Sequence, residues 1–514
     1  INGLLVIHAN LSDFVVPESF SPDRSCPNEY SSMYAENSAY GHCKNVTWNP
    51  YGDGLAFENF DFPIGILKNW TQIEFIIENC YRKFNEPVEG KERDYPLCAA
   101  QVKNAMDAAK DTPTCIRRSN TVTNLNPQVY CDPIGDYNIF SFVEPLNSTN
   151  GTDSLPVKND SVTIVAAKLD SFSLFEDADP ASDSAVAGFV TLLSVVEALG
   201  RVKNQLAAYM QDSPLMFALF NGEAFDYIGS SRMLYEMENN FFPGYLEKDD
   251  IGAALIRPEH IKNFIEIGQV GIPEGNNLWM HTDPVSNKNP DVKKATEALL
   301  THMTDAGTSA GLNFNQAPEV QPLPPASFQA FLKKYSIAGL VLTDHRSQFQ
   351  NKFYNSRFDT HDRIGVIYPD DLPANQTYDY ITDGAKHLAK VATAVANAVY
   401  ATVTGDEGNI TADEQVITHM LYCFLVDHQC ELFNSSLNTA NAKALEKNAG
   451  QDPFTTYVGV SPGQGWNSML ARNIIARFLG EVVSLNCSSA DKCEEACKKM
   501  NDKENAESRW YLYQ

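Results

Sequence analysis

The chain has 514 residues, a formal net charge of -26 from 65 acidic and 39 basic side chains, and a hydrophobic share of 43%. That length is enough for two or three domains with a substantial core, which excludes a disordered polypeptide. The acidic balance disfavours nucleic acid as a partner, because phosphate backbones are bound by basic surfaces.

The first 140 residues or so are irregular, rich in Asn, Pro, Tyr and Ser, and hold six of the 11 cysteines. GLLVI reads as a strand; NCYRKFN and LCAAQVKNAMDAAKD read as short helices. This stretch, 1–140, is expected to form a smaller lobe cross-linked where its core is thin. Cys26 with Cys43, Cys80 with Cys98 and Cys115 with Cys131 lie close enough to form local disulfides, although spacing alone leaves connectivity open. Cys423, Cys430, Cys487, Cys493 and Cys497 form a looser C-terminal group, and Cys487 with Cys497 is the pair expected there.

From about residue 141 strands alternate with helices. SVTIVAAKLDS is a strand and ASDSAVAGFVTLLSVVEALG an apolar helix. PLMFALF is a strand and SSRMLYEMEN a helix. HIKNFIEIGQVG and NNLWMHTD are strands, NPDVKKATEALLTHMTDAG a helix starting near Pro290, ASFQAFLKKY a helix and SIAGLVLTDH a strand. TDGAKHLAKVATAVANAVYATVTG is a long Ala-rich helix. The alternation predicts an α/β fold with a central mostly parallel or mixed sheet over 141–420. Residues 421–514 are expected to be a helical extension. No run of eighteen apolar residues is present, so no segment of this sequence is expected to span a bilayer.

Sequons occur at Asn10, Asn45, Asn69, Asn147, Asn150, Asn159, Asn375, Asn409, Asn434 and Asn486. With the cysteines they point to an oxidising, extracytoplasmic compartment and to N-linked glycans. No other cofactor is expected.

Ligands of such folds bind beyond the carboxyl ends of the strands. Asp170 ends AAKLD, Asp183 opens the next helix, and Glu223 follows FALFNG. Asp183 is also an ordinary helix N-cap candidate. Glu223 reads as a base or as an acceptor for a cationic ligand. None of the 10 histidines falls in AAKLDS, ASDSAVAG or NGEAFDY, and no His-Glu-x-x-His helix is present. No metal site is expected.

Taken together, KLDSFSLF, DPASDSAVAGFV, FNGEAFDYIGSSRMLYEME with its DYIGS, LWMHTDPVSNKN and FYNSRFDT closely resemble the nicastrin family, the glycoprotein subunits of γ-secretase. The resemblance runs from the Cys26–Cys43 region to the end of the chain. It implies a large lobe similar to the zinc aminopeptidases and transferrin receptors, and a small lobe bearing a lid. It also implies an ectodomain ending at ESRWYLYQ just before a single membrane helix absent from this sequence. In those peptidases a metal-binding histidine precedes the first aspartate by two residues; Lys168 stands there, before Asp170. Asp183 matches their bridging aspartate. Glu223 matches their general base, and Ala224 stands where the adjacent glutamate ligand would be. Asn355, after Tyr354, stands at their last histidine, shortly before Asp359-Thr360. Glu266 or Gly268 aligns with the remaining aspartate.

These departures imply a pseudo-peptidase without a catalytic residue. The resemblance further implies a pocket lined by Glu223 and Tyr227, with Asp170, Asp183 and Lys168 beside it. The lid would be anchored by Trp48 on Leu174 or Phe175. It implies as partners a presenilin-type catalytic subunit, the other γ-secretase subunits, and shortened type I membrane proteins as substrates. Glu223 would then serve a receptor for free amino termini, or a structural role beneath a steric gate. The implied setting is a single-pass type I membrane protein, its ectodomain in the lumen or outside the cell, in endoplasmic reticulum, Golgi, endosomes and plasma membrane. The competing readings are an active zinc exopeptidase and a purely structural assembly glycoprotein.

Overall fold

A computed structural model describes most of residues 3–480. The longer stretches outside the description are 8–14, 35–38, 100–116, 126–133, 147–156, 176–178, 244–254, 481–491 and 493–514. By packing, the chain forms two compact units, one of Ile1–Glu18 with Phe57–Pro133 and one of Ser19–Ala56 with Ile134–Gln514. The division expected near residues 140 and 420 differs from this. Residues 19–56 pack with the larger unit, and so do the helices described beyond 420. Sequence adjacency misleads here, because residues 19–56 find their partners some 300 positions downstream.

The smaller unit contains strands β1 (Leu4–Ile7) and β2 (Ile64–Leu67), which pair in parallel. Asn69 follows and caps the helix Trp70–Glu74, its side chain accepting from Thr71 N and Gln72 N. The helix continues with wider turns over Phe75–Asn85. Asn85 and Cys98 are joined by hydrogen bonds beside the Cys80–Cys98 disulfide.

The larger unit is built on seven strands: β3 (Ile139–Phe142), β4 (Val162–Lys168), β5 (Leu215–Phe220), β6 (Ile261–Ile267), β7 (Asn277–His281), β8 (Asn313–Gln316) and β9 (Ala338–Thr343). Their order across the sheet is β3-β5-β4-β6-β9-β7-β8. The inner four are parallel, while β3 runs antiparallel to β5 and β7 to β9. The expected α/β fold with a mixed sheet is therefore what the chain forms. β4, β5 and β9 are buried on both faces and accordingly read as continuous apolar runs, as inner parallel strands do.

Alternate residues feed two cores. Val165, Ala167, Phe217, Leu219, Ile265 and Leu342 meet the helices Ala187–Gly200, Pro290–Ser309, Asp383–Thr404, Glu414–Leu425 and Trp466–Leu479. Ile164, Ala166, Met216, Phe220 and Phe264 meet the helices Ile228–Glu238 and Phe328–Leu332 on the other face. The helix expected near Pro290 starts there, with Asn289 accepting from Asp291 N as its cap. The long Ala-rich helix is capped by Thr382 and stops at Gly405, whose φ of 80° no side-chain-bearing residue adopts comfortably. Ser182–Gly200 is apolar and long enough to cross a membrane, but it is buried in this core. It is the central helix of a packed domain.

Two expected disulfides are present, Cys26–Cys43 and Cys80–Cys98. A third, Cys423–Cys430, not among the expected pairs, closes the turn after the helix Glu414–Leu425. Cys115, Cys131, Cys487 and Cys497 lie outside the described residues, as do Asn10, Asn45, Asn147, Asn150 and Asn486. The sequon asparagines within the description, Asn69, Asn159, Asn375, Asn409 and Asn434, are all exposed.

Candidate functional site: a buried carboxylate cluster at the strand ends

The inner strands β4, β5, β6 and β9 all deliver their carboxyl ends to one edge of the sheet. Asp170, Glu223 and Asp344 follow three of those ends, and Glu266 lies at the fourth. All four are buried, as are Asp23, Asp179, Asp183 and Asp359. Asp344 obeys the same positional logic as Asp170 and Glu223, since it directly follows the apolar run AGLVLT. The sequence reading passed over it.

Hydrogen bonding gives four of these eight carboxylates one task. Asp170 accepts from Glu223 N at 2.9 Å and Ala224 N at 3.1 Å. Glu223 accepts from Ser230 N at 2.8 Å and from Ser230 Oγ at 2.7 Å. Glu266 accepts from Ser327 N at 2.9 Å and Phe328 N at 2.8 Å. Asp359 accepts from Asp183 N at 3.1 Å and Ser184 N at 2.8 Å. The donors are the free N–H groups at the starts of helices or turns. These acids cap elements that their own neighbours leave uncapped.

The segment around Glu223 shows why. Tyr227 stands at the N-cap of the helix Ile228–Glu238 with no side-chain cap bond, and Asp226 and Tyr227 hold φ values of 59° and 57°. Glu223 reaches over this left-handed turn to supply the missing acceptor. Gly229 is required beneath it: a Cβ there would lie 2.2 Å from Asn221 O and 2.5 Å from Asn138 Oδ1. Asn138 ties the loop to β3, donating to Gly229 O at 2.8 Å and accepting from Asn221 N at 3.0 Å.

Asp183 corrects an expectation. It is not the N-cap; Ala181 is, with φ 46°, and Asp183 lies inside the first turn. Its Oδ1 accepts from Gly271 N at 2.8 Å, while its Oδ2 has no hydrogen-bond partner among the described residues. Lys168 makes no ion pair with Asp170 or Asp183 among the described residues; its Nζ lies 5.2 Å from the centroid of the Tyr354 ring. Burial alone would lower the Lys168 ammonium, but Tyr354, Asp170 and Asp23 outweigh it and raise the group above its ordinary value.

These buried acids are raised above the ordinary carboxylate range. Burial pushes Asp170 up to about 6, Asp179 to about 7, Glu266 to about 7 and Glu223 to about 8. Asp183 is raised by burial and then by the neighbouring Asp344 and Asp359. Lys168 does not balance eight carboxylates, and burial favours the protonated form of those raised furthest, Glu223 among them.

Residues 19–56 cover this edge. Ser21 Oγ donates to Tyr354 O at 2.7 Å, Asn28 Nδ2 to the Tyr227 hydroxyl at 2.6 Å, and Tyr34 OH to Asp283 Oδ1 at 2.7 Å. Asn355 Nδ2 donates to Asp23 Oδ2 at 2.9 Å. Trp48 is fully buried, with ring centroids 5.7 Å from His281, 5.8 Å from His345 and 6.5 Å from Phe349. Its partners are thus not Leu174 or Phe175. Those two are half-buried, and their turn is closed on itself by Ser173 Oγ donating to Phe175 O. The true seat is hidden from the sequence because His281 ends β7 while His345 and Phe349 lie in the loop after β9. Burial lowers both imidazoles to about 3, and His345 Nδ1 lies 2.9 Å from Asp344 Oδ1. Trp48→Ala is expected to cost about 3–5 kcal/mol and speed proteolysis of residues 19–56. Equal cutting rates for the two proteins would refute this.

Residues 161–400 match the family model for the nicastrin large lobe, and residues 1–108 that for the nicastrin small lobe. Human nicastrin is 36% identical over 93% of this chain and 65% of its own length. Rat nicastrin is 36% identical over 94% of this chain and 65% of its own length. The chain therefore spans 65% of the length of these curated relatives. A crystal structure of the γ-secretase component nicastrin shares the fold, with a TM-score of 0.63 at 20% identity over 96% of this chain and 76% of that one. Both lobes and the extended similarity to the human and rat proteins place the chain in the nicastrin family.

Proposed function

We propose that this chain is the non-catalytic ectodomain of a γ-secretase-type intramembrane protease, set in the lumen or outside the cell. It would act as a gate over the membrane-embedded catalytic subunit, admitting type I membrane proteins whose ectodomains have been shortened. Attachment through a membrane helix beyond this sequence, N-glycans at the exposed sequons, and passage from endoplasmic reticulum to the cell surface belong to the same reading.

The observation that carries it is the state of Glu223. A general base or amine receptor needs a reachable oxygen. Glu223 is 3% exposed, and both its oxygens are engaged by Ser230. Tyr227, the other residue assigned to a recognition pocket, is also buried and spends its hydroxyl on Asn28 and on Ala326 N. This favours a structural role for the DYIGS turn beneath a gate, over direct capture of a substrate amino terminus.

The zinc pair of the related peptidases does not fit these residues. Both Asp170 oxygens serve the turn at 223–224, Lys168 brings a positive charge where a ligand is needed, and Asn355 is committed to Asp23 and to Ser171. Without a metal to acidify water, no nucleophile is generated for Glu223 to activate. Purified ectodomain is expected to carry no stoichiometric zinc and release no amino acids from peptides; about two zinc ions per chain with peptidase activity would sink the reading. In the assembled complex, cleavage is expected to fall steeply as the substrate ectodomain lengthens. Cleavage independent of ectodomain length, with loss of short-substrate cleavage in Glu223→Gln at normal assembly, would favour the receptor instead.

A further inference from the structure

Of the sequon asparagines within the description, Asn69 is the one whose side chain caps a helix. Its Oδ1 accepts from Thr71 N at 2.9 Å and from Gln72 N at 3.3 Å, and its carbonyl oxygen accepts from Ile73 N at 3.0 Å. The residue itself stays extended, with φ -79° and ψ 112°. Its Nδ2 has no hydrogen-bond partner among the described residues. Asn69, Trp70 and Thr71, the whole sequon, are exposed. By contrast, Asn375 and Asn434 lie inside helical turns capped by Pro373 and Cys430, and Asn159 and Asn409 start no helix.

That cap carries more weight than it would on a core helix. Across Trp70–Glu74 and its continuation Phe75–Asn85, Ile73 alone is fully buried among the described residues. A helix that buries so little draws little from tertiary packing, which ordinarily supplies most helical stability. Its far end is tied by Cys80–Cys98 and by Asn85, which bonds to Leu97 and Cys98. Its near end is tied by Asn69. Capping and N-glycosylation draw on different atoms of that side chain. Glycosylation forms a bond from Nδ2 to C1 of the first sugar, breaks the C1–O bond to the pyrophosphate of a lipid-linked donor, and releases one Nδ2 proton. The product is still an amide, so Oδ1 keeps the lone pairs that meet Thr71 N and Gln72 N.

We propose that Asn69 performs both tasks at once: its Nδ2 carries an N-linked oligosaccharide while its Oδ1 goes on capping the helix. The glycan then stands on a fixed mount at the head of the helix, beside Trp70, which is 54% exposed. The inference rests on the extracytoplasmic reading given above. It separates two effects that an Asn69→Gln replacement merges. Glutamine removes the sugar and, being one methylene longer, the cap as well.

The test uses the full chain made in a secretory host. Glycan occupancy is read by mass spectrometry, and hydrogen exchange is read on peptides covering residues 69–85. The wild type is expected to carry a glycan at Asn69. Thr71→Ala and Asn69→Asp abolish the sequon but keep a capping oxygen, so both should match wild-type protection within about twofold. Asn69→Gln should lose about fivefold, the equivalent of one lost cap. Hydrolysis of the Cγ–Nδ2 bond in the folded wild type frees the sugar and leaves a carboxylate; protection should then equal that of Asn69→Asp. An Asn69 without glycan overturns the proposal. Equal protection in all variants also overturns it, because Asn69 is then no cap. A loss in Thr71→Ala and Asn69→Asp as large as in Asn69→Gln overturns it too, because the sugar then holds the helix. Were Asn69→Gln to fail to fold while Asn69→Asp folds, the difference between two glycan-free proteins would still report the cap. Glycans at other exposed sequons with none at Asn69 sink this inference alone; none at any sequon sinks the extracytoplasmic reading with it.

Discussion

Glu223→Ala is expected to destabilise the ectodomain by about 3 kcal/mol or more, and Glu223→Gln by less than about 1 kcal/mol. Alanine leaves the buried Ser230 N–H without its acceptor and the hydroxyl with only the longer bond to Tyr227 O at 3.4 Å, and opens the start of the helix Ile228–Glu238. The ordinary cost of a lost cap is about 1 kcal/mol; here a second buried hydroxyl and a small cavity add to it. Glutamine preserves the contact, because a carboxyl pushed up to about 8 by burial is already mostly protonated at neutral pH. The amide oxygen then accepts from Ser230 N and the amide nitrogen donates to Ser230 Oγ. Thermal or denaturant unfolding of the two variants side by side measures this. Equal losses in both would show that the negative charge itself is what the fold needs.

Stability is expected to decline as pH rises from 6.5 to 8.5. Each buried acid with a raised folded-state value binds its proton more tightly when folded. Its contribution is fully present below the unfolded carboxylate range and is lost as pH climbs through the folded value. Asp179 and Glu266 at about 7 and Glu223 at about 8 release their protons inside this window. Histidines do not obscure it. His281 and His345, lowered to about 3, are neutral in the folded state throughout, and above pH 6.5 the unfolded imidazoles are mostly neutral too. The histidines matter only on further acidification, where the unfolded chain takes up their protons and stability turns down again. Each proton released contributes a slope of about 1.4 kcal/mol per pH unit, so a melting temperature that drops by several degrees across the window is expected. A melting temperature that stays level or climbs from pH 6.5 to 8.5 would mean that the cluster is ionised and neutralised by other means.

The strand ends were legible because the inner strands are buried on both faces and announce themselves as apolar runs. Asp170 and Glu223 follow from them directly, as does the sheet edge they mark. Their task was not legible. It depends on which distant N–H groups each carboxylate meets, as with Glu266 and the helix Phe328–Leu332 or Asp359 and the turn at Asp183. Asp183 misled for the same reason: an aspartate before an apolar helix looks like a cap, yet the cap is delivered from 176 residues away. Trp48 was recognised as an anchor, but its seat of two imidazoles and Phe349 exists only once β7 and β9 are side by side. The short pairing Cys423–Cys430 needed only its turn, and spacing among five cysteines did not single it out.

Ser21 and Tyr354 meet across 333 positions of sequence. During synthesis at about 5–20 residues per second, residues 19–56 would therefore leave the ribosome about 15–60 s before their seat exists. Tyr34 and Trp48, both fully buried in the finished fold, spend that interval without the surfaces that bury them. The Cys26–Cys43 loop, closed within 17 positions, needs nothing downstream and can form first. Until that seat is made, factors that recognise exposed aromatic side chains would find Tyr34 and Trp48 within reach, beside a loop already closed by its own disulfide.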